Sequence, residues 1–335
     1  MIEQFLFEKI FGSLAGVVIG DAFGFPTEGL TPEEIKRYYG FVDDFVVPIP
    51  EHPNANLPRG HITDDTEETL LLAEAIISAK GKISLSLFAR SLLEWARKED
   101  LSQKTYIGPS TLAAIKNMLN GVAPSDAGNR HITCGAAMRI APVGLIFPGE
   151  PQKAAEVAAD ISRVTHGGKA ALSAASAVAA AISIALRDGS TINDIIETAI
   201  KNSSIGEKLG KESVSPSVGK RIALAVEIAK KSEEEQAVRE IYDIIGTGIT
   251  SAEAIPAAFG VFVVAKGDPM KSIVLATNIG GDTDTIAAIS GAISGAYKGI
   301  TYIDRKKLNF VEQVNKLNIE KIARDLFKIA TKRIT

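Results

Sequence analysis

The sequence predicts an all-α protein, and three observations carry that reading. Apolar residues recur at helical spacing in more than ten separate segments. Strand signals are short and scattered: 41–49 could be extended, but Asp43 and Asp44 interrupt its alternation. No βαβ rhythm emerges, and no Gly-x-Gly-x-x-Gly opens a strand-to-helix turn. No stretch is long enough or biased enough to separate domains, so residues 1–335 are expected to form one helical domain.

The elements follow in order. A first helix is expected over 5–19, apolar with small residues, with Asp21 closing it. A second runs over 64–78 after Thr63. It sets Leu70, Leu71, Ala73, Ile76 and Ile77 at broadly helical spacing. Asp64 and Glu67, three apart, read as capping residues at its start. The helix over 84–97 offers Leu87, Leu92 and Trp95 to a core. Segments 109–119, 152–164, 169–186, 191–200, 218–229 and 233–244 read the same way. Alanine and serine dominate 169–186, which suits a close-packed buried helix better than a lipid-facing span. Ser251 precedes an alanine-rich helix over 252–264; 270–277 and 284–297 follow, and 307–329 supplies one or two more. Two loops are expected, at 52–60, where Pro53 and Pro58 block regular structure, and at 203–217, rich in Ser, Gly and Lys.

Composition narrows the function. Hydrophobic residues make up 46% and charged residues 23%, values of a globular protein with a large core. A net charge of -3 with no basic block argues against a general nucleic-acid surface. The N-terminus lacks a basic leader and its apolar run is broken by Glu8 and Lys9, so neither a signal peptide nor a membrane span is expected. The single cysteine, Cys134, excludes an intrachain disulfide and favours a reducing, cytoplasmic setting.

Chemistry concentrates in two short stretches. Thr63-Asp64-Asp65-Thr66 and Gly280-Gly281-Asp282-Thr283-Asp284-Thr285 each place carboxylates and hydroxyls where a loop turns into a helix. Either could be a set of helix caps. Brought together, they make an oxygen-only donor set with no Cys or His cluster, suited to Mg²⁺, Mn²⁺ or Ca²⁺. Gly280 and Gly281 permit positive φ and close backbone approach. Gly291, Gly295 and Gly299, four apart, give one helix face over which a neighbour can approach closely. Asp21 and Glu28 flank a loop, and Glu28 is a candidate movable ligand or general base. His166 is either a satisfied structural histidine or a hydrogen-bond partner for a phosphate or sugar oxygen; His61 is a weaker candidate. Gly135, Ala136, Met138 and Arg139 lie in a small-residue turn whose free N–H groups could cradle a pyrophosphate, with a structural ion pair as the alternative for Arg139. Glu67 and Glu68 read as solvated or supporting residues, and Cys134 as wall rather than nucleophile. Gly-x-Ser-x-Gly, the Walker loop and His-Glu-x-x-His are absent from the sequence.

Taken in order, Gly20-Asp21, Thr63-Asp64-Asp65-Thr66, Gly135-Ala136-Ala137-Met138-Arg139, Thr165-His166, 278–285 and the glycines of 291–299 closely resemble the ADP-ribosylglycohydrolase family over nearly the whole chain. The resemblance implies an all-α fold holding two Mg²⁺ or Mn²⁺ ions, with Thr63, Asp64, Asp65, Asp282, Asp284 and Thr285 around them. It places Glu28 where some members keep a metal-contacting glutamate. It implies hydrolysis of the bond between ADP-ribose and a protein side chain or small molecule, with Glu28, Asp64 and Asp65 as candidate catalytic carboxylates. Cys134 stands where many members carry asparagine, and Glu67 where a glutamine is frequent. Two other readings remain open: a metal phosphoesterase acting on a nucleotide or sugar phosphate, and a non-catalytic ADP-ribose-binding or crystallin-like protein. The sequence does not fix the assembly state; a monomer serves as the working expectation.

Overall fold

The computed structural model describes residues 2–99, 101 and 104–334. Its first helices are α1 (Ile2–Gly24), α2 (Pro32–Tyr39), α3 (Asp64–Ser78), α4 (Leu85–Lys98), α5 (Pro109–Leu119) and α6 (Pro124–Ala127). Then come α7 (Gly135–Met138), α8 (Ala141–Leu145), α9 (Pro151–Ser162), α10 (Lys169–Ala185), α11 (Ile192–Leu209) and α12 (Val218–Lys231). The chain ends with α13 (Glu234–Glu240), α14 (Ser251–Val264), α15 (Pro269–Thr277), α16 (Thr283–Lys298), α17 (Arg305–Asn315) and α18 (Ile319–Ile334). Among the described residues there is no strand, only two isolated bridges, Thr133 to Thr250 and Gly168 to Lys211. The fold is all-α, as the helical periodicity predicts.

Two helices close to the centre decide the rest. α10 is buried on every face from Ala170 to Ala185. Its alanines let α9 and α11 pack closely, and Gly206 of α11 sits so near α10 that a Cβ there would meet the Leu172 carbonyl oxygen at 2.0 Å. α1 is long and apolar enough to cross a membrane, with a mean hydropathy of 1.4, but its apolar 18-residue window is wholly buried inside the fold. It is a core helix, and its partner is α16.

Glycines set the α1–α16 distance. A Cβ on Gly16 would lie 2.1 Å from the Gly291 carbonyl oxygen, one on Gly20 2.3 Å from that of Ala287, and one on Gly295 2.1 Å from that of Gly12. The two backbones touch, which no larger residue permits. Gly291 and Gly295 thus serve the packing expected of them, whereas Gly299 ends α16 with φ 86°. The matching glycines of α1 share the four-residue spacing.

Several boundaries differ from expectation, each for a local reason. α1 runs on past residue 19, so Asp21 lies inside a helix. α3 is capped by Thr63, whose hydroxyl accepts from Asp65 N; Glu67 instead binds Lys104 and Tyr106. Thr250, not Ser251, precedes α14 as its N-cap; Ser251 Oγ donates to the Thr133 carbonyl. α11 continues to Leu209, through the start of the expected 203–217 loop, because Gly206 keeps it packed on α10. α13 gives way to a π-helical turn over Ile241–Ile245. The 307–329 segment divides where Lys316 turns left-handed at φ 56°. α2 lies outside the expected helices; Thr31 and Glu34 form a complete capping box at its start, with Pro32 at the first helical position.

Candidate active site

Asp21 is the hinge of the local architecture. From inside α1 its carboxylate accepts Thr63 N at 2.9 Å, Thr63 Oγ1 at 2.8 Å and Thr66 N at 3.1 Å. An acid on one helix therefore satisfies the free amides at the start of another, where the helix dipole favours negative charge. This fixes α3 against α1. The α1–α16 contact then fixes the start of α16 against both. Phe23 is fully buried and edge-on to Phe45, ring centres 4.6 Å apart, which anchors the same end of α1.

The second stretch enters through glycine. Gly280 and Gly281 have φ of 85° and 83°. A Cβ on Gly281 would strike Thr247 O at 2.3 Å, and one on Gly280 would meet Pro32 Cδ at 2.8 Å. The loop carrying Glu28 is stitched to this turn by Gly29 N to Gly281 O at 2.8 Å and Gly281 N to Leu30 O at 2.9 Å. Asp282 N donates to Thr247 O at 2.7 Å. Glu28, Asp282 and Asp284 thereby come together, each offering a carboxylate oxygen within 4.8 Å of the others. Thr285 Oγ1 donates to Asp65 Oδ2 at 3.3 Å, so the two helix starts meet despite their separation in sequence.

These groups line a cavity of about 370 Å³ that includes Glu28, Asp64, Asp65, Asp282, Asp284 and Thr285. A larger cavity of about 740 Å³ between α2, α13 and α15 contains none of them; the chemistry lies in the smaller one. No lysine or arginine is among the described residues lining the acidic cavity. Burial, and then repulsion from Asp282 and Asp21, pushes the Glu28 carboxyl up to about 7. Burial pushes Asp21 up to about 6, against its hydrogen bonds to Thr66 and Thr63. Asp64 is raised well above the ordinary carboxylate range by burial and by Glu68; Asp65 by burial, Asp21 and Asp64; Asp284 by burial and Glu28. Asp65 Oδ1 is buried without a hydrogen-bond partner. Packed carboxylates, an orphaned acceptor and no facing cation together fit a divalent metal. A hard cation at 2.0–2.6 Å from each oxygen limits ligand pairs to about 4–5 Å, which the Glu28, Asp282 and Asp284 oxygens satisfy.

The other expected residues divide. Gly135, Met138 and His166 line the cavity. Ala136 does not: it is fully buried in the core. Arg139 does not either, and is corrected to a structural ion pair. It is 1% exposed, with Nη1 on Glu68 Oε2 at 2.6 Å and Nη2 on Thr165 Oγ1. Glu68 is correspondingly fully buried rather than solvated. The turn's amides are only partly open, since Ala137 N and Met138 N both donate back to Cys134 O. Thr63 lies beneath the cavity, its hydroxyl donating to Asp21. His61 lies off the lining, facing Phe25 and Tyr106. Burial pushes the Cys134 thiol well up, and its Sγ donates to Asp282 Oδ2 at 3.0 Å, the behaviour of a wall residue. Sequence reasoning missed Asn54, Tyr106, Ser110 and Thr133 on the lining, and Gly108, whose N–H holds Asp64 Oδ2 at 2.8 Å. Only the Gly108-Pro109-Ser110-Thr111 turn carried a local signal.

Known proteins resemble this chain over nearly its whole length. The family model described as ADP-ribosylglycohydrolase matches residues 3–334. Protein YegU of Escherichia coli strain K12 is 32% identical over 330 residues, covering 97% of this chain and 98% of its own length. ADP-ribosylarginine hydrolase Tri1 of Serratia proteamaculans is 28% identical over 334 residues, covering 96% of this chain and 80% of its own. A solved ADP-ribosylglycohydrolase-related protein complex shares the fold, with a TM-score of 0.71 at 23% identity over 98% of this chain and 99% of that one.

Proposed function

Because the chain belongs to the ADP-ribosylglycohydrolase family, we propose that it hydrolyses the glycosidic bond joining ADP-ribose to a protein side chain or small molecule, releasing ADP-ribose. The observation that carries this reading is the meeting of Glu28, Asp282 and Asp284 with Asp64 and Asp65 in one cavity that has no lysine or arginine among its described lining residues. Glu28, Asp282 and Asp284 would hold one Mg²⁺ or Mn²⁺; Asp64, Asp65 and Thr285, with Thr63 beneath, would serve a second. A divalent ion bound there supplies Lewis acidity and lowers the pKa of water at the site.

The chain's own groups supply position and proton transfer. Gly108 N fixes one oxygen of Asp64, and Thr285 Oγ1 fixes one of Asp65. Asp65 Oδ1 is the unpaired acceptor beside them. Glu28, Asp64 and Asp65 are the carboxylates that orient water and take its proton as its oxygen bonds to the anomeric carbon. The carbon–nitrogen or carbon–oxygen bond to the acceptor breaks, and the acceptor leaves with a proton. An oxocarbenium-like transition state suits this acidic cavity. Gly135, Met138 and His166 form the wall for the rest of the ADP-ribosyl group. The ADP-ribosylarginine activity in Tri1's name makes arginine conjugates the first substrates to test, beside serine and small-molecule conjugates. A cytoplasmic setting accords with the single buried thiol.

The test is product analysis with Mg²⁺ or Mn²⁺ and after chelation. Metal-dependent release of intact ADP-ribose is expected. Release of inorganic phosphate would instead establish a phosphoesterase, and tight ADP-ribose binding without turnover on any conjugate a binding protein.

A further inference from the structure

A chain of buried polar groups runs from the interior to the same cavity. Arg139 pairs with Glu68 and donates through Nη2 to Thr165 Oγ1. Thr165 Oγ1 lies 2.8 Å from His166 Nδ1, His166 Nε2 lies 2.8 Å from Thr133 Oγ1, and Thr133 Oγ1 lies 2.9 Å from Ser110 Oγ. Arg139, Thr165 and His166 are at most 1% exposed, while Ser110 and Thr133 line the cavity.

Proton counting gives this chain a direction. Guanidinium only donates, so Thr165 Oγ1 accepts from Arg139. The one Thr165 hydroxyl proton then has His166 Nδ1 as its acceptor; were Nδ1 protonated, a fully buried hydroxyl would hold an unused proton. Nδ1 is therefore the acceptor, and Nε2 carries the proton that Thr133 accepts. Burial and the nearby Arg139 charge hold the ring neutral. The Ser110–Thr133 pair owns two protons. One lies in the bond between them. The other, not needed by His166, is left for the cavity. In the opposite tautomer His166 would consume it, and the pair would offer only lone pairs.

We propose that the buried Glu68–Arg139 pair, acting through Thr165 and His166, polarises this chain so that the Ser110–Thr133 hydroxyls present a proton to an acceptor oxygen of the bound molecule. In a cavity with no lysine or arginine among its described lining residues, such neutral donors are what an oxygen-rich ligand meets on this wall. Arg139 and Thr165 are positioning residues; Ser110 and Thr133 touch the ligand. The inference goes beyond the hydrolase reading, and its first measurement needs no ligand.

The experiment is imidazole ¹⁵N NMR of the full chain, with His166 assigned by the difference from His166→Gln. A neutral ring protonated on Nε2 is expected; a ring protonated on Nδ1, or an imidazolium, overturns the proposal. Thr165→Ser, which keeps the hydroxyl, should retain the tautomer, and Thr165→Val should lose the single-tautomer preference. Identical behaviour of the two also overturns it. Ser110→Ala/Thr133→Val should weaken ADP-ribose binding about tenfold, the size of one lost ligand hydrogen bond, and raise KM more than it lowers kcat. Unchanged ADP-ribose affinity in that folded variant counts against the donor role. Should the wild-type tautomer be as expected while wild-type protein fails to bind ADP-ribose, the relay stands and the hydrolase reading falls.

Discussion

Asp284 is one residue from Thr285 and two from Asp282, yet only the fold gives it Glu28 as a neighbour. Asp284→Asn keeps its size and removes its charge. Metal affinity and metal-dependent turnover should each fall at least about tenfold, the lower end of losses seen when metal support is removed. Cys134→Ser should cost far less, because the thiol is a wall group hydrogen-bonded to Asp282 and Thr285, contacts a hydroxyl can keep. Calorimetric metal titration and ADP-ribose release on both folded variants check this; an active Asp284→Asn beside an inactive Cys134→Ser would sink the assignment. The same acids make the metal-free protein pH-sensitive. Glu28 titrates near 7 folded against 4.5 ordinarily, and Asp21 near 6 against 3.8. Between those values the folded chain keeps protons that the unfolded chain has shed, so stability falls as pH rises from about 4 to about 7. A divalent ion offsets that loss. The rise in Tm on adding Mg²⁺ or Mn²⁺ to chelated protein should be larger at pH 7.5 than at pH 5, and an equal rise at both would contradict the account.

At the scale of elements, the α1–α16 contact is the part most exposed to a small change. Gly16→Ala would drive a methyl to 2.1 Å from the Gly291 carbonyl, with backbone on both sides. The helices must separate, at a cost of about 3 kcal/mol or more, the upper range for overpacking. Because α1 carries Asp21 and α16 carries Asp284, activity should fall further than stability explains. Denaturant melts and turnover measured below the transition separate the two effects; a Gly16→Ala protein as stable as wild type would show that the contact is looser than described. At α1's other end, Lys9 Nζ caps α10 through Ala185 O at 2.5 Å, another tie from this helix to the core.

For the whole molecule, most of the buried hydrophobic side chains form one connected cluster running from Leu6 to Ala330. We therefore propose that residues 1–335 are one cooperative domain. Calorimetry on the metal-loaded protein should give a single transition; two resolved transitions would divide the chain. The site belongs to this scale as well. It is assembled from α1, α3, α16 and the loops carrying Glu28, Gly108 and Thr133, so no isolated fragment contains it.

How much of this was legible follows from range of interaction. Helical periodicity, the paired aspartates, the Gly280-Gly281 turn and the four-residue glycine spacing are local patterns, and they announced an all-α chain with an oxygen-rich acidic centre. The Thr31–Glu34 capping box is an equally local pattern, and it starts α2. Arg139 shows the limit. Its sequence neighbours suggested a ligand-facing cradle, whereas burial beside Glu68, 71 positions away, turns it inward. Asp21 likewise caps a helix that starts 43 residues later, and Thr133 and Ser110 reach the cavity through contacts no spacing rule encodes. Periodicity and turn chemistry act within a few residues, so the sequence by itself determined which helices form and which acids lie at their starts. Which side chains share a cavity, which acids lose their water and which cation is sealed away from it depend on close packing between distant helices, and only the tertiary structure decided them.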